Sequence, residues 1–149
     1  MLKQTLADLF ERDLNRVKNE LIQYEDENKI WIVKEDINNS AGNLCLHLVG
    51  NLNTYIGRVL GNTNYIRDRE AEFNLKNIPR ADLIFNIENT STVIKATLHA
   101  LTEEDLATEY PELVFKEKTS VTFLLVHLAT HLGYHLGQIN YHRRLLGHK

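Results

Sequence analysis

Apolar residues recur at helical spacing along four long stretches of the chain, separated by segments rich in Asn, Asp and Glu. In the first, from Leu2 to about Tyr24, Leu6, Leu9, Phe10, Val17 and Leu21 fall on one face, the period of a helix with one buried side. Glu25-Asp26-Glu27-Asn28 forms its solvated exit. Lys29-Ile30-Trp31-Ile32-Val33 has strand-like composition but no segment to pair with, and reads as an extended crossover. The second helix starts near Asn39-Ser40, where either side chain can accept from a free backbone N–H, and stops at Gly61-Asn62. Its buried stripe is Leu44, Leu48, Leu52, Tyr55 and Val59. The third begins around Pro79, whose fixed φ suits a first helical turn, and carries Leu83, Ile84, Ile87, Ile94, Leu98 and Leu101. The fourth opens near Thr119-Ser120 and runs to Gly147, with Leu125, Leu128, Leu132, Leu136, Ile139 and Leu146 on one stripe.

Four amphipathic helices of about 20–28 residues predict an all-α four-helix bundle. At 149 residues, and with no internal repeat, residues 1–149 read as a single domain. The connections, about 12–17 residues each, exceed what antiparallel neighbours need, so at least one long crossover is expected. A composition 43% hydrophobic and 25% charged excludes disordered and fibrous classes. The one cysteine excludes an internal disulfide and points to a reducing compartment, hence the cytoplasm. No apolar run reaches the roughly 20 residues of a membrane span, and MLKQTLADLFERDL is amphipathic rather than signal-like. A net charge of -3, with Arg143-Arg144 one short basic patch, argues against a nucleic-acid partner.

The seven histidines are the unusual feature, because His127, His131, His135 and His142 share the fourth helix. Steps of four advance about 40° beyond a full turn and about 6 Å along the axis, so the first three form a slowly winding column, continued by Gln138 and His142. An i, i+4 pair can share one metal, but His127 and His135 sit about 12 Å apart, too far to join one zinc. A metal would therefore take His127/His131 or His131/His135, plus a ligand from another helix. The best outside candidate is His47, between Leu44 and Leu48 on the core side of the second helix. Cys45 points about 200° away from it and belongs to no such site. Spacing leaves the choice of pair open, and leaves open a plain bundle whose histidines are satisfied core residues.

Asn43-Leu44-Cys45-Leu46-His47 on an early helix, followed near the end by His131-x-x-x-His135-x-Gly137-Gln138 and an apolar run to Gly147, resembles the DinB/YfiT-like superfamily over nearly the whole chain. The resemblance implies a bundle in up-down-down-up order that binds a divalent metal, zinc or nickel, through three histidines. By motif these are His47, His131 and His135, with His127 a bystander. Imidazole also suits iron. One departure is Leu136, where the family commonly has arginine, which removes an anion-binding side chain. Several members resemble thiol-dependent transferases or isomerases using bacillithiol, mycothiol or glutathione. The function implied is a metal-dependent S-transferase or isomerase in which a low-molecular-weight thiol attacks a small electrophile. The alternative is a non-catalytic, stress-associated metal-binding bundle acting as a homodimer.

Around that site, Gln138 lies one turn beyond His135, where it can support a molecule in the open site, hydrogen-bond a ligand from behind, or serve only as a helix-packing amide. Asn51 and Tyr55 follow His47 at steps of four and are expected to line the pocket, since amide and phenol are poor zinc ligands. Arg58 lies about 16 Å along from His47 and reads as a solvated end. Gly133, about 200° from His131, is expected at a close helix crossing, within the bundle or between subunits. His142 and His148 read as surface residues, His99 as a distant candidate for the pocket, and Asp68-Arg69-Glu70 and Glu103-Glu104-Asp105 as loop and helix-end charges.

Overall fold

A computed structural model describes residues 1–148. The long helices are α1 (Leu2–Ile22), α2 (Ala41–Leu52), α4 (Arg80–Ala100) and α6 (Val121–Leu146), with two short ones, α3 (Arg69–Asn74) and α5 (Glu103–Ala107), in the connections. Helix α2 runs on through a π-helical turn (Asn53–Arg58) and a last turn (Val59–Gly61). The ends follow local chemistry. The Ser40 hydroxyl accepts from the Asn43 N–H at 3.1 Å and Ser120 from the Phe123 N–H at 3.0 Å, capping α2 and α6. Asn62, in the left-handed region at φ 53°, ends the second long helix, as Asn tolerates and branched residues do not.

Side-chain contacts fix the direction of each helix. Lys3 at the start of α1 donates to the carbonyls of His99 and Leu101 at the end of α4, and Lys18 pairs with Glu88, so α1 and α4 are antiparallel. Glu20 near the end of α1 meets Arg143 near the end of α6, so those two are parallel. His47, early in α2, meets His131 midway along α6, and Tyr55 further down meets Tyr110, which bonds Thr119 at the start of α6, so α2 and α6 are antiparallel. The order is up-down-down-up. Helices α1 and α2 stand diagonally, each packed on both α4 and α6. Because α2 and α4 run the same way, residues 62–79 must travel the length of the bundle, and this long crossover carries α3 along the side of α2. The core between the helices includes Leu6, Phe10, Leu14, Leu48, Leu83, Leu98, Leu125, Leu128 and Ile139.

Three sequence expectations change. Lys29–Trp31 are not extended, although Ile32 after them is: Glu27–Trp31 form a 3-10 turn, capped by Asp26, which accepts from the Asn28 N–H at 2.9 Å. With Ile30 alone fully buried, a tight turn seats the apolar residue without a strand partner. The close approach expected at Gly133 is absent within the chain, since an added Cβ would meet only Asp13 Oδ2, at 4.0 Å. His142 is not a surface residue. It is 3% exposed, with Nδ1 on the Tyr24 hydroxyl at 2.6 Å and Nε2 on the Ile32 carbonyl at 2.9 Å. The 3-10 segment folds back over the end of α6, which no periodicity in α6 itself could reveal. Among the described residues, no helix is long and apolar enough to cross a membrane.

Candidate metal centre

Helix α2 supplies His47, and α6 supplies His131 and His135 one turn apart. The Nε2 of His131 lies 3.3 Å from that of His47 and 3.1 Å from that of His135, and all three ligand atoms fall within 4.8 Å of one another. Nitrogens held tetrahedrally at 2.0–2.1 Å from one zinc would stand about 3.3 Å apart. The three histidines can hold a metal ion, and no rearrangement of their helices is needed. His127 stands outside: its ring stacks on that of His131 at 6.3 Å between centroids and meets the edge of Phe115 at 4.8 Å.

The outer nitrogens decide what the inner ones can do. His47 Nδ1 lies 3.0 Å from Glu72 Oε1, and a carboxylate only accepts, so Nδ1 carries the proton and Nε2 presents its lone pair. His135 Nδ1 lies 2.7 Å from the Gln138 carbonyl oxygen, while the Gln138 amide points to the Tyr134 hydroxyl at 3.4 Å, giving His135 the same tautomer. Two lone pairs therefore converge on His131 Nε2, which has one proton at most to offer. His131 Nδ1 is buried with no hydrogen-bond partner. A cluster of inward lone pairs around an under-satisfied imidazole suits a cation, and it holds no carboxylate to weaken that cation's charge. Burial lowers the pKa of all three rings. His131 is pushed down to about 4, first by desolvation and then by the neighbouring His135, His47 and His127. For His47 desolvation outweighs the opposing hydrogen bond it donates to Glu72, and for His135 it outweighs the one to Gln138. All three are neutral at pH 7, as ligation requires.

Glu72 is the functional residue that the sequence pattern missed. It sits on α3, 5% exposed, and is gripped by Arg67 through Nε to Oε2 at 2.9 Å and Nη2 to Oε1 at 3.0 Å. Asn43 ties α3 to α2 by donating to the backbone carbonyls of Glu72 and Leu75, each at 2.9 Å. Gly50 makes room, since a Cβ there would lie 1.9 Å from Glu72 Oε2. The Phe73 ring packs on His47 at 5.1 Å. A carboxylate behind a ligating histidine fixes its tautomer and raises its basicity. The one available signal was Gly50, a helical glycine facing the same side as His47.

The other expected site residues divide. Gln138 is in place, on His135. Tyr55 reaches the centre indirectly, its ring under the Arg67 guanidinium at 5.8 Å. Asn51 is buried on α2 with Oδ1 unpartnered and makes no bond to the imidazoles. Arg58 is exposed and pairs with Glu112 at 3.0 Å. His99 is exposed near the far end of α4, and His148 is exposed 3.6 Å from Glu25. Asp105 belongs to a reciprocal cap with Thr102 that starts α5, and Asp68 caps α3. Cys45 is fully buried in the core, its thiol pushed up to about 12 by desolvation, and lies outside the centre.

The solved structure of a DinB-like protein from Bacillus subtilis, YjoA, superposes with a TM-score of 0.72 over 97% of this chain and 94% of that one, at 19% identity. That likeness shows the fold. No curated protein matches the sequence. The family described as "Protein of unknown function (DUF1572)" matches residues 2–149, and the chain belongs to that DinB-like family.

Proposed function

We propose that the chain is a divalent-metal-dependent enzyme in which a low-molecular-weight thiol is added to, or exchanged on, a small electrophile. His47, His131 and His135 would hold zinc or nickel, with iron also suited to imidazole. One observation carries the reading: three neutral imidazoles converge through Nε2 while Glu72 and Gln138 hold the outer nitrogens of two of them. A divalent cation held there supplies positive charge that acidifies a coordinating thiol or water near neutral pH. The protein's own contribution is orientation and electrostatics. Glu72 aims His47, and Arg67 balances the Glu72 charge. Three ligands leave further coordination positions open, the pattern of catalytic rather than structural sites.

A second reading has its own observation. Glu72, the buried carboxylate beside the centre, is fully engaged by His47 and Arg67, so no free acid or base stands ready. A metal-binding protein without turnover fits that arrangement. Elemental analysis of purified protein tests the shared part, with about one divalent metal per chain expected. Incubation of the metal-loaded protein with glutathione, bacillithiol or mycothiol and an aryl halide separates the two. Thiol conjugation above the uncatalysed rate supports the enzyme, and its absence with all three thiols supports the binding protein.

A further inference from the structure

Two helices end side by side at the end of the bundle far from His47. The second long helix stops at Gly61 and α4 at Ala100, and they run the same way. Between them lies a cleft of about 670 Å³, bordered also by the loop after α5 and by Val121 at the start of α6. That volume falls within the roughly 300–1,000 Å³ of small-molecule sites. Gly61 lies fourteen residues beyond His47, about 20 Å along the helix. The cleft and the three histidines share no side chain. Small residues make the space. A Cβ on Gly61 would collide with Thr97 Oγ1, and Ala96 and Ala100 leave the room beside it open.

Polar groups lining this cleft have no partner in the chain. Thr63 Oγ1 is buried without a hydrogen bond. On α4, Thr90 and Thr92 return their hydroxyls to the carbonyls four residues back, at 2.7 and 3.1 Å, a common habit of helical Thr. Thr97 is 6% exposed, lines the cleft and makes no such bond. Buried hydroxyls are normally paired, so two unanswered ones lining one cavity mark a place where the partner comes from outside the chain.

The lining selects the sign of that partner's charge. Asp105 and Glu109 stand in it, and no Lys, Arg or His does. Asp105 uses Oδ2 in its cap with Thr102, which leaves Oδ1. Glu109 lies 3.6 Å from Lys118, but both side chains are exposed, so that pair is weak and an incoming cation can replace it. Both long helices also turn their carbonyl ends, the negative pole of the helix dipole, toward the cleft. The chain already seats one ammonium at this pole: Lys3 Nζ donates to the carbonyls of His99 and Leu101 at 3.2 and 2.7 Å.

We infer that this cleft is a second binding site, which takes a small organic amine. Its apolar body lies against Val59, Val93 and Val121, its ammonium meets the carboxylates, and Thr63 and Thr97 gain the partners they lack. The site is independent of the metal centre and of any turnover there.

The test uses three probes with one body and different heads: phenethylamine, phenethyl alcohol and phenylpropionate. Each is titrated into isotope-labelled protein in amine-free buffer near neutral pH and followed by amide NMR. The amine should shift the signals of residues 59–63 and 92–101 saturably, at least about tenfold more tightly than the alcohol, with the carboxylate weakest. Ala96→Trp, at an exposed position within the cleft, should abolish those shifts while helical circular dichroism and metal uptake stay as they were. Glu109→Gln should narrow the preference for the amine over the alcohol. No saturable shift at these residues, equal binding of amine and alcohol, a carboxylate that binds as tightly as the amine, or amine binding unchanged in both variants would each overturn the proposal.

Discussion

The two ends of the histidine column on α6 use the same residue type at nearly the same helical angle, for opposite purposes. At His142 every ring nitrogen is answered: Tyr24 on one side and the Ile32 carbonyl on the other leave an imidazole with nothing more to bind. At His131 and His135 the answered nitrogens are the outer ones, or none, and the inner ones face each other across 3.1 Å. The difference lies in what is packed opposite. A 3-10 turn with a free carbonyl covers His142, and a helix with a third histidine, backed by a carboxylate, covers His131. A buried histidine is structural when its surroundings supply one acceptor and one donor, and a ligand when they supply lone pairs.

The sharpest way to break this comparison is to delete one residue from each end. His131→Ala removes the nitrogen shared by both close contacts and should abolish stoichiometric metal uptake, measured by elemental analysis after reconstitution, while the helical spectrum persists. Full occupancy in that variant would mean the three rings do not share an ion.

Acid should act on both ends together. The His131 ring is held at about 4 against an ordinary 6.5, and His47, His135 and His142 are also lowered, in each case chiefly by desolvation. The unfolded chain therefore binds protons that the folded one refuses. Stability of the metal-free protein should be level above about pH 6.5 and fall steadily as pH drops from 6.5 toward 4, followed by urea unfolding. A rise in stability over that range would contradict the buried, neutral assignment.

His142→Ala should cost about 3 kcal/mol in urea denaturation, because it opens a cavity and leaves the Tyr24 hydroxyl and Ile32 carbonyl without a partner. Metal stoichiometry should not change. Metal lost with His142 would mean that the two ends are one network.

The smallest effect belongs to Glu72→Gln, which keeps shape but removes the charge behind His47. Metal affinity by calorimetric titration should fall about 10–100-fold. Equal affinity would reduce Glu72 to a packing residue.

The legibility of these features in the sequence tracks their range. Capping at Ser40 and Ser120, the stop at Asn62 and the core stripes of α2 and α6 are set by residues within a few positions of one another, and they were readable. His47, His131 and His135 were readable as candidates because two of them sit one turn apart and the third faces the core. Glu72 and Arg67 were not, because nothing local marks them. Asn43 and Gly50 bring them to His47 from a crossover whose course depends on α2 and α4 running the same way. His142 was misread for the same reason, its partners Tyr24 and Ile32 lying just past α1 and just past the 3-10 turn.

By itself, then, the amino-acid sequence determined four amphipathic helices, the caps of two of them, and a column of imidazoles on the last, since each follows from periodicity and short-range hydrogen bonding. Only the tertiary structure decided which imidazoles meet, which nitrogen of each carries its proton, and which are spent on a neighbour. Except at His135, whose partners lie on its own helix, those outcomes depend on groups 25 to 118 residues apart that only packing brings within 3.3 Å.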